Sequence, residues 1–482
     1  MKNLIKNTIR NKASLIVLLL LMISCSEEFI NVEANQETEE ALTADKAPEL
    51  VNAVYNSFLQ WPMSSFSWVG ITSITTDDAD KGSAPGDTGT DKNLLDALTF
   101  DASTISFAES WSAHYAGIQR ANQAINRLQG FEMEEALKNR LIGEAKFLRA
   151  LMYFRLVQSF GGVPLITEAP DPNAANANDV LKRASKEDTY ALIEKDLNDA
   201  IPVLLNKSQY DIADLGRVTK GAAKALLAKV SMYQNKWPLV YSLTNEIIAS
   251  GEYGLTTNYG DIWKEIGENN TESLFEIQAR GETPTAGIQG YSVSQGARGE
   301  GGWGWGFNTP TQNLADSYEV GDLRRDATII FRGETLYDGR VVPNTVENER
   351  YNEKAYISAF SDAWETGKNI RIIRYAEVLL MNAEAALKQG DGTKAAVSLN
   401  KVRNRAGLGN APVVNEMAVW KERRFELAFE HDRYFDLVRQ GRAGAVLRAH
   451  GKPFVDGKNE VFPIPQEQID KSGGILVQNP GY

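Results

Sequence analysis

A mainly α-helical fold is predicted, with a tetratricopeptide-like scaffold of stacked helix pairs carrying long irregular loops and a few short strands. Three observations predict it. Apolar residues recur at helical spacing over most of the chain. Two of the helix pairs resemble each other, and the segments that break the periodicity contain no linker able to separate independent domains.

In chain order, helices are expected over 47–59, 106–128, 135–158, 187–205, 219–233, 236–250, 371–389, 392–405 and 416–440. The third places Leu141, Ala145, Leu148, Met152, Phe154 and Leu156 at turn-like spacing and stops at Gly161-Gly162 before Val163-Pro164. "AKALLAKVSMYQNKWPLVYSLTNEIIAS" and "YAEVLLMNAEAALKQGDGTKAAVSLNKVRN" are each helix, short polar turn, helix. Small residues (Ala225 and Ala228; Ala376, Ala383 and Ala386) recur where paired helices must approach closely. "EAKFLRALMYFRLVQSFGG" reads as the first half of a third unit, the pattern of degenerate tetratricopeptide-type repeats sharing one core. The pattern breaks over 60–105, over 255–370 (with strand-like runs at 274–277 and 328–331) and over 441–482. Long irregular insertions in a helical scaffold are where binding residues concentrate.

The N-terminus follows different rules. Lys2, Lys6, Arg10 and Lys12 precede an apolar stretch of roughly 11 residues, too short for a membrane span of about 20. This predicts a signal peptide over 1–24. Met22-Ile23-Ser24-Cys25 resembles a bacterial lipobox, and Cys25 is the only cysteine, so it is expected to carry the acyl chains that anchor the protein without spanning the membrane. Ser26-Glu27-Glu28 resembles the acidic export tag of Bacteroidota surface lipoproteins. A polar, Glu-rich tether over 25–44 then leads to a single domain over 45–482.

With its thiol acylated, the chain has no cysteine for a disulfide, a thiolate nucleophile or a metal. The formal net charge of −12 and the absence of a basic stripe argue against a nucleic-acid partner and disfavour a polyanionic ligand. His114, His431 and His450 show no metal-binding spacing, and neither H-E-x-x-H nor G-x-S-x-G occurs. Gly299-x-Gly301-x-x-Gly304 has no strand before it and no helix after it, so it does not read as a dinucleotide site. Asp77-Asp78-Ala79-Asp80 offers carboxylates, but Ala79 and Lys81 stand where an EF-hand loop needs oxygen ligands. No cofactor is expected and no structural calcium is predicted. Glu422, Glu426 and Glu430 form a row of like charges, which predicts an answering set of arginines, with Arg423, Arg433, Arg403 and Arg405 available. Such a set would be a structural lattice holding the last long helix to its neighbours.

Several long motifs now combine. "AHYAGIQRANQAINRL", "EAKFLRALMYFRLVQSFGGVPLI", "TPTQNLADSYEVGDLRRD", "IRYAEVLLMNAEAAL", "LNKVRNRAGL", "ERRFELAFEHDRYFDLVR" and "VFPIPQEQI", in this order, resemble the SusD/RagB family from the lipobox to about Gln468. The resemblance implies an outer-membrane, outward-facing, non-catalytic glycan-binding lipoprotein. It also implies a role as the lid of a SusC-like TonB-dependent transporter, to which such proteins deliver oligo- or polysaccharide. Its fold would be a tetratricopeptide-like scaffold with the sugar site on irregular loops. A cargo other than sugar, such as peptides, is the alternative within the family. A glycoside hydrolase is the alternative of a different class, because its two carboxylates leave no linear signature.

A sugar receptor needs flat aromatic platforms bordered by fixed polar groups. Trp111, Trp237, Trp263 and Trp420 fall in or beside helices and read as core. Trp61, Trp68, Trp303, Trp305 and Trp364 fall in the irregular segments, as does Tyr291. "GEGGWGWGF" is the first aromatic candidate and "SSFSWVGITSITTDDADKG" the second, with Asp77, Asp78 and Lys81 as hydroxyl partners. The acidic balance leans towards a neutral glycan, although Arg280 and Arg298 lie close to the tryptophan loop.

Overall fold

The computed structural model describes residues 43–168, 179–281, 286–357 and 364–482. The expected leader, Cys25 and nearly all of the tether lie outside these residues. Pro48–Tyr482 form one compact unit. Its longer helices are α1 (Ala47–Tyr55), α2 (Ile105–Gly130), α3 (Glu135–Phe160), α4 (Lys186–Ala200), α5 (Lys220–Tyr233), α6 (Trp237–Ala249), α7 (Tyr375–Lys388), α8 (Gly392–Arg405), α9 (Glu416–Leu427), α10 (Arg433–Arg439) and α11 (Ala443–Ala449). None among the described residues is long and apolar enough to cross a membrane.

Local chemistry sets the ends of these helices. The Glu134 carboxylate accepts from the first free N–H groups of α3 at Ala136 and Leu137, and Gly161 ends that helix with a positive φ. Ser185, Thr219, Asp391 and Asn415 cap α4, α5, α8 and α9 in the same manner. Helices α2 to α7 pack each against the next, and α8 and α9 pack on α7. The alanines singled out in the sequence are all buried at these crossings. Every residue of α7 from Tyr375 to Ala386 is buried, so this helix lies at the centre of the core.

The helix expected over 416–440 is two helices, α9 and α10. Between them Phe429 and His431 adopt positive φ, at 63° and 72°. The break carries Glu430 out of the helical row, yet its carboxylate still reaches Arg374 and Lys354, at 2.7 Å each. The acidic row is answered throughout. Arg324 and Arg403 hold Glu422 at 2.6 and 3.0 Å, while Arg374 and Arg405 hold Glu426 at 2.9 and 2.5 Å. Arg403 and Arg405 were expected in this role, whereas Arg324 and Arg374 come from distant segments. Arg423 instead joins Asp436, which Arg439 ties on to Glu384. Burial alone would raise the Glu426 carboxyl, but Arg405, Arg374 and Arg324 outweigh it and hold the group well below the usual carboxylate range.

Among the described residues, four two-stranded antiparallel ladders tie the irregular segments together. Strand β1 (Ala79–Gly82) pairs with β4 (Phe307–Pro310), β2 (Ser273–Ile277) with β8 (Ile370–Arg374), β3 (Ile288–Gln289) with β7 (Glu365–Thr366), and β5 (Ile329–Phe331) with β6 (Arg350–Asn352). The strands expected at 274–277 and 328–331 are β2 and β5. Ladder β1–β4 joins the first irregular segment to the second, and β3–β7 brings the chain leading into Gly290 alongside Trp364.

Candidate glycan-binding site

Three tryptophans from three segments meet on this lobe. Trp61 opens a one-turn helix, Trp61–Ser64; Trp305 sits between Gly304 and Gly306 just before β4; Trp364 immediately precedes β7. The Trp61 and Trp364 rings stack at 5.0 Å with 20° between their planes. Trp305 lies 5.9 Å from Trp61 and 6.3 Å from Trp364, tilted by 55° and 36°. Phe66 supports the group from the protein side, 4.8 Å from Trp61 and 4.8 Å from Phe307. Trp61 and Trp305 are half-buried and Trp364 is 41% exposed, so a solvent-facing aromatic surface remains whose planes turn progressively.

The backbone fixes these rings. Trp61 N donates to Gln289 Oε1 at 3.1 Å, Gly290 N to the Trp364 carbonyl at 2.5 Å, and Trp305 N to the Val293 carbonyl at 2.8 Å. Two glycines permit the close approach. A Cβ on Gly290 would lie 2.4 Å from Trp61 Cζ3, at a φ of +68° that side chains avoid. A Cβ on Gly304 would lie 2.5 Å from the Val293 carbonyl oxygen. Gly290→Ala is therefore expected to displace Trp61 and to lower stability by roughly 1–3 kcal/mol. A thermal melt with tryptophan emission as the probe would show both effects, and an unchanged emission maximum would contradict the displacement.

Polar groups border the surface. Arg298 Nη1 donates to Asp87 Oδ2 and Ser83 Oγ, both at 2.8 Å, and lies 3.5 Å from the Trp305 carbonyl. The Arg298 and Asp87 side chains are 36% and 25% exposed, so both can meet sugar hydroxyls.

Other expected site residues lie elsewhere. Trp68 is 3% exposed, packed against His114 and Phe435 beneath the Arg155 guanidinium, and offers no ring face to a ligand. Asp77 and Asp78 are buried and committed to arginines: Arg433 holds Asp77 at 2.8 Å and Arg424 holds Asp78 at 2.7 Å. These arginines outweigh burial at Asp77 and keep it ionised, while burial prevails at Asp78 and raises it. Neither aspartate is available as a hydroxyl partner or as a catalytic carboxylate. Lys81 is buried and braces its own loop through the carbonyls of Asp87 and Ala84. Tyr291 is 5% exposed, its ring 6.2 Å from His431. Trp303 joins a separate cluster with Tyr356 at 5.4 Å and the Arg340 guanidinium at 5.1 Å. Phe66 and Phe307 fall inside the two candidate stretches without being singled out, and Gly290 lies outside both.

The chain is similar to known proteins over most of its length. A model described as "SusD family" matches residues 271–482, and one described as "Starch-binding associating with outer membrane" matches 28–232. A solved structure described as a laminarin-binding SusD-like protein is 31% identical, with a TM-score of 0.78 over 91% of this chain and 100% of its own. The chain belongs to the SusD family. Another solved structure, described as the surface glycan-binding protein A of Bacteroides thetaiotaomicron in complex with laminarihexaose, is 25% identical with a TM-score of 0.78 over 91% of this chain and 100% of its own. SusD-like protein P2 of Formosa agariphila is 28% identical, with 98% of this chain and 99% of that protein aligned. The helix-pair scaffold with its irregular lobe is thus the SusD fold.

Proposed function

We propose that this chain is a non-catalytic cell-surface lipoprotein that captures a neutral oligo- or polysaccharide on the Trp61–Trp305–Trp364 surface. In this reading it is anchored in the outer membrane through Cys25, faces the exterior, and forms the lid of a SusC-like TonB-dependent transporter. The observation that carries the proposal is the convergence of three partly exposed tryptophans from three remote segments, bordered by Arg298 and Asp87. Planar rings match the apolar C–H faces of sugars, and a set of planes that turns suits a curving chain better than a flat one. One structural relative described as laminarin binding and another described as in complex with laminarihexaose make a neutral glucan the first ligand to test. The formal charge of −12 agrees with a neutral ligand over an anionic one.

Affinity electrophoresis of residues 43–482 through gels containing laminarin, starch or alginate tests this. The expected result is retardation by a neutral glucan, none by alginate, and no new reducing ends after prolonged incubation. Retardation by alginate alone would overturn the neutral-glycan reading, and release of reducing ends would overturn the non-catalytic one.

A further inference from the structure

Two cavities border the same face of α2. The first, about 890 Å³, lies between that helix and the C-terminal turn Gln466–Lys471, and Gln60 and Pro62 line its near end. These two residues flank Trp61 in sequence, so the near end of the cavity lies one residue along the chain from a platform tryptophan. The second, about 550 Å³, continues past Tyr115 and Gln119 to Pro164 and Ile166. Ser112 and Lys471 line both, which makes them two parts of one groove. Ile105, Ala108, Ser112, Ala116 and Gln119 form its helical wall, all at least partly exposed. At 1.5 Å per residue this wall is about 21 Å long, room for several sugar units.

Its chemistry is that of a carbohydrate groove. Tyr115, half-buried and 5.1 Å from Trp111, supplies a further aromatic ring, while Gln60, Gln119, Gln466 and Gln468 supply amides. Among the described residues the walls carry Glu109, Glu467, Asp470 and Glu168 against one cation, Lys471, which is itself paired with Glu467. Such a lining repels uronate or sulfated polymers and accepts a neutral one.

We infer that a neutral glycan seated on the tryptophan surface continues into this groove, so that the protein binds long chains more tightly than short ones. The inference rests on the glycan-binding reading above and extends it from sugar faces to chain length.

Calorimetric titration with the tri-, hexa- and decasaccharides of laminarin tests it. The decasaccharide is expected to bind about tenfold more tightly than the trisaccharide. In Ser112→Arg/Ala116→Arg, two exposed positions where long side chains fill the groove without entering the core, that gain is expected to vanish while trisaccharide binding persists. Equal affinity at all three lengths, or a length gain that survives the double variant, would overturn the groove and leave the tryptophan surface standing. Binding of none of the three would overturn both readings for this glucan.

Discussion

Arg374→Met is expected to destabilise the protein by about 3–5 kcal/mol, because it removes the cation shared by three carboxylates and leaves them only Arg405, Arg324 and Lys354. Arg374 is 1% exposed and touches Glu272, Glu426 and Glu430 together. Arg374→Lys is not expected to rescue it, since an ammonium cannot reproduce a planar fork that meets three carboxylates. The pH dependence separates loss of charge from loss of packing. In the native protein Glu426 titrates below its unfolded value, so its contribution is complete above the usual carboxylate range and is lost only as pH falls through the lower folded value. In the variant Glu426 is still buried but has lost one of its compensating cations, so it takes up a proton more readily than in the native protein. The deficit measured by urea denaturation is therefore expected to be smaller at about pH 5 than at about pH 7. An equal deficit at both would show that packing, not charge, is what Arg374 contributes.

Replacing Trp305 or Trp364 by alanine is expected to weaken oligosaccharide binding about tenfold each, and replacing both with Trp61 to abolish it. Trp364→Ala is the cleaner test, since its ring is the most exposed of the three. Trp68→Phe is the matched control: it is expected to lower the melting temperature and leave the dissociation constant unchanged. Titration calorimetry and thermal melts on the same samples would separate the two. Lost affinity in Trp68→Phe with native stability would move the site away from the tryptophan surface to Trp68.

The scaffold was legible because helical periodicity and stop signals are local. Gly161-Gly162 ends α3 where expected, and the matching helix pairs are α5–α6 and α7–α8. The interruption after Leu427 was not legible, because neither glycine nor proline marks it. Contacts to Arg374 and Lys354, from elsewhere in the chain, accompany the turn there. The loop tryptophans stood out as aromatics without a helical partner, which led to Trp61, Trp305 and Trp364. The same reasoning failed for Trp68, whose burial is decided by Arg155, His114 and Phe435 from other segments. The two tryptophans of "GWGWG" also part company: the Trp303 and Gly304 N–H groups both donate to the Ala297 carbonyl, and the chain turns between them.

The β3–β7 ladder and the hydrogen bond from Trp61 to Gln289 hold together parts of the chain that are remote in sequence. A surface assembled in this way exists only once those parts have met, and such long-range closures form slowly. Binding competence is therefore a late product of folding, and a chain that has folded only its helical hairpins has no receptor surface. By linkage, a ligand that recognises only the assembled surface draws the folding equilibrium towards the native state by RT ln(1 + [L]/Kd). A cargo bridging all three tryptophans thus acts as a clasp on the lobe that carries it.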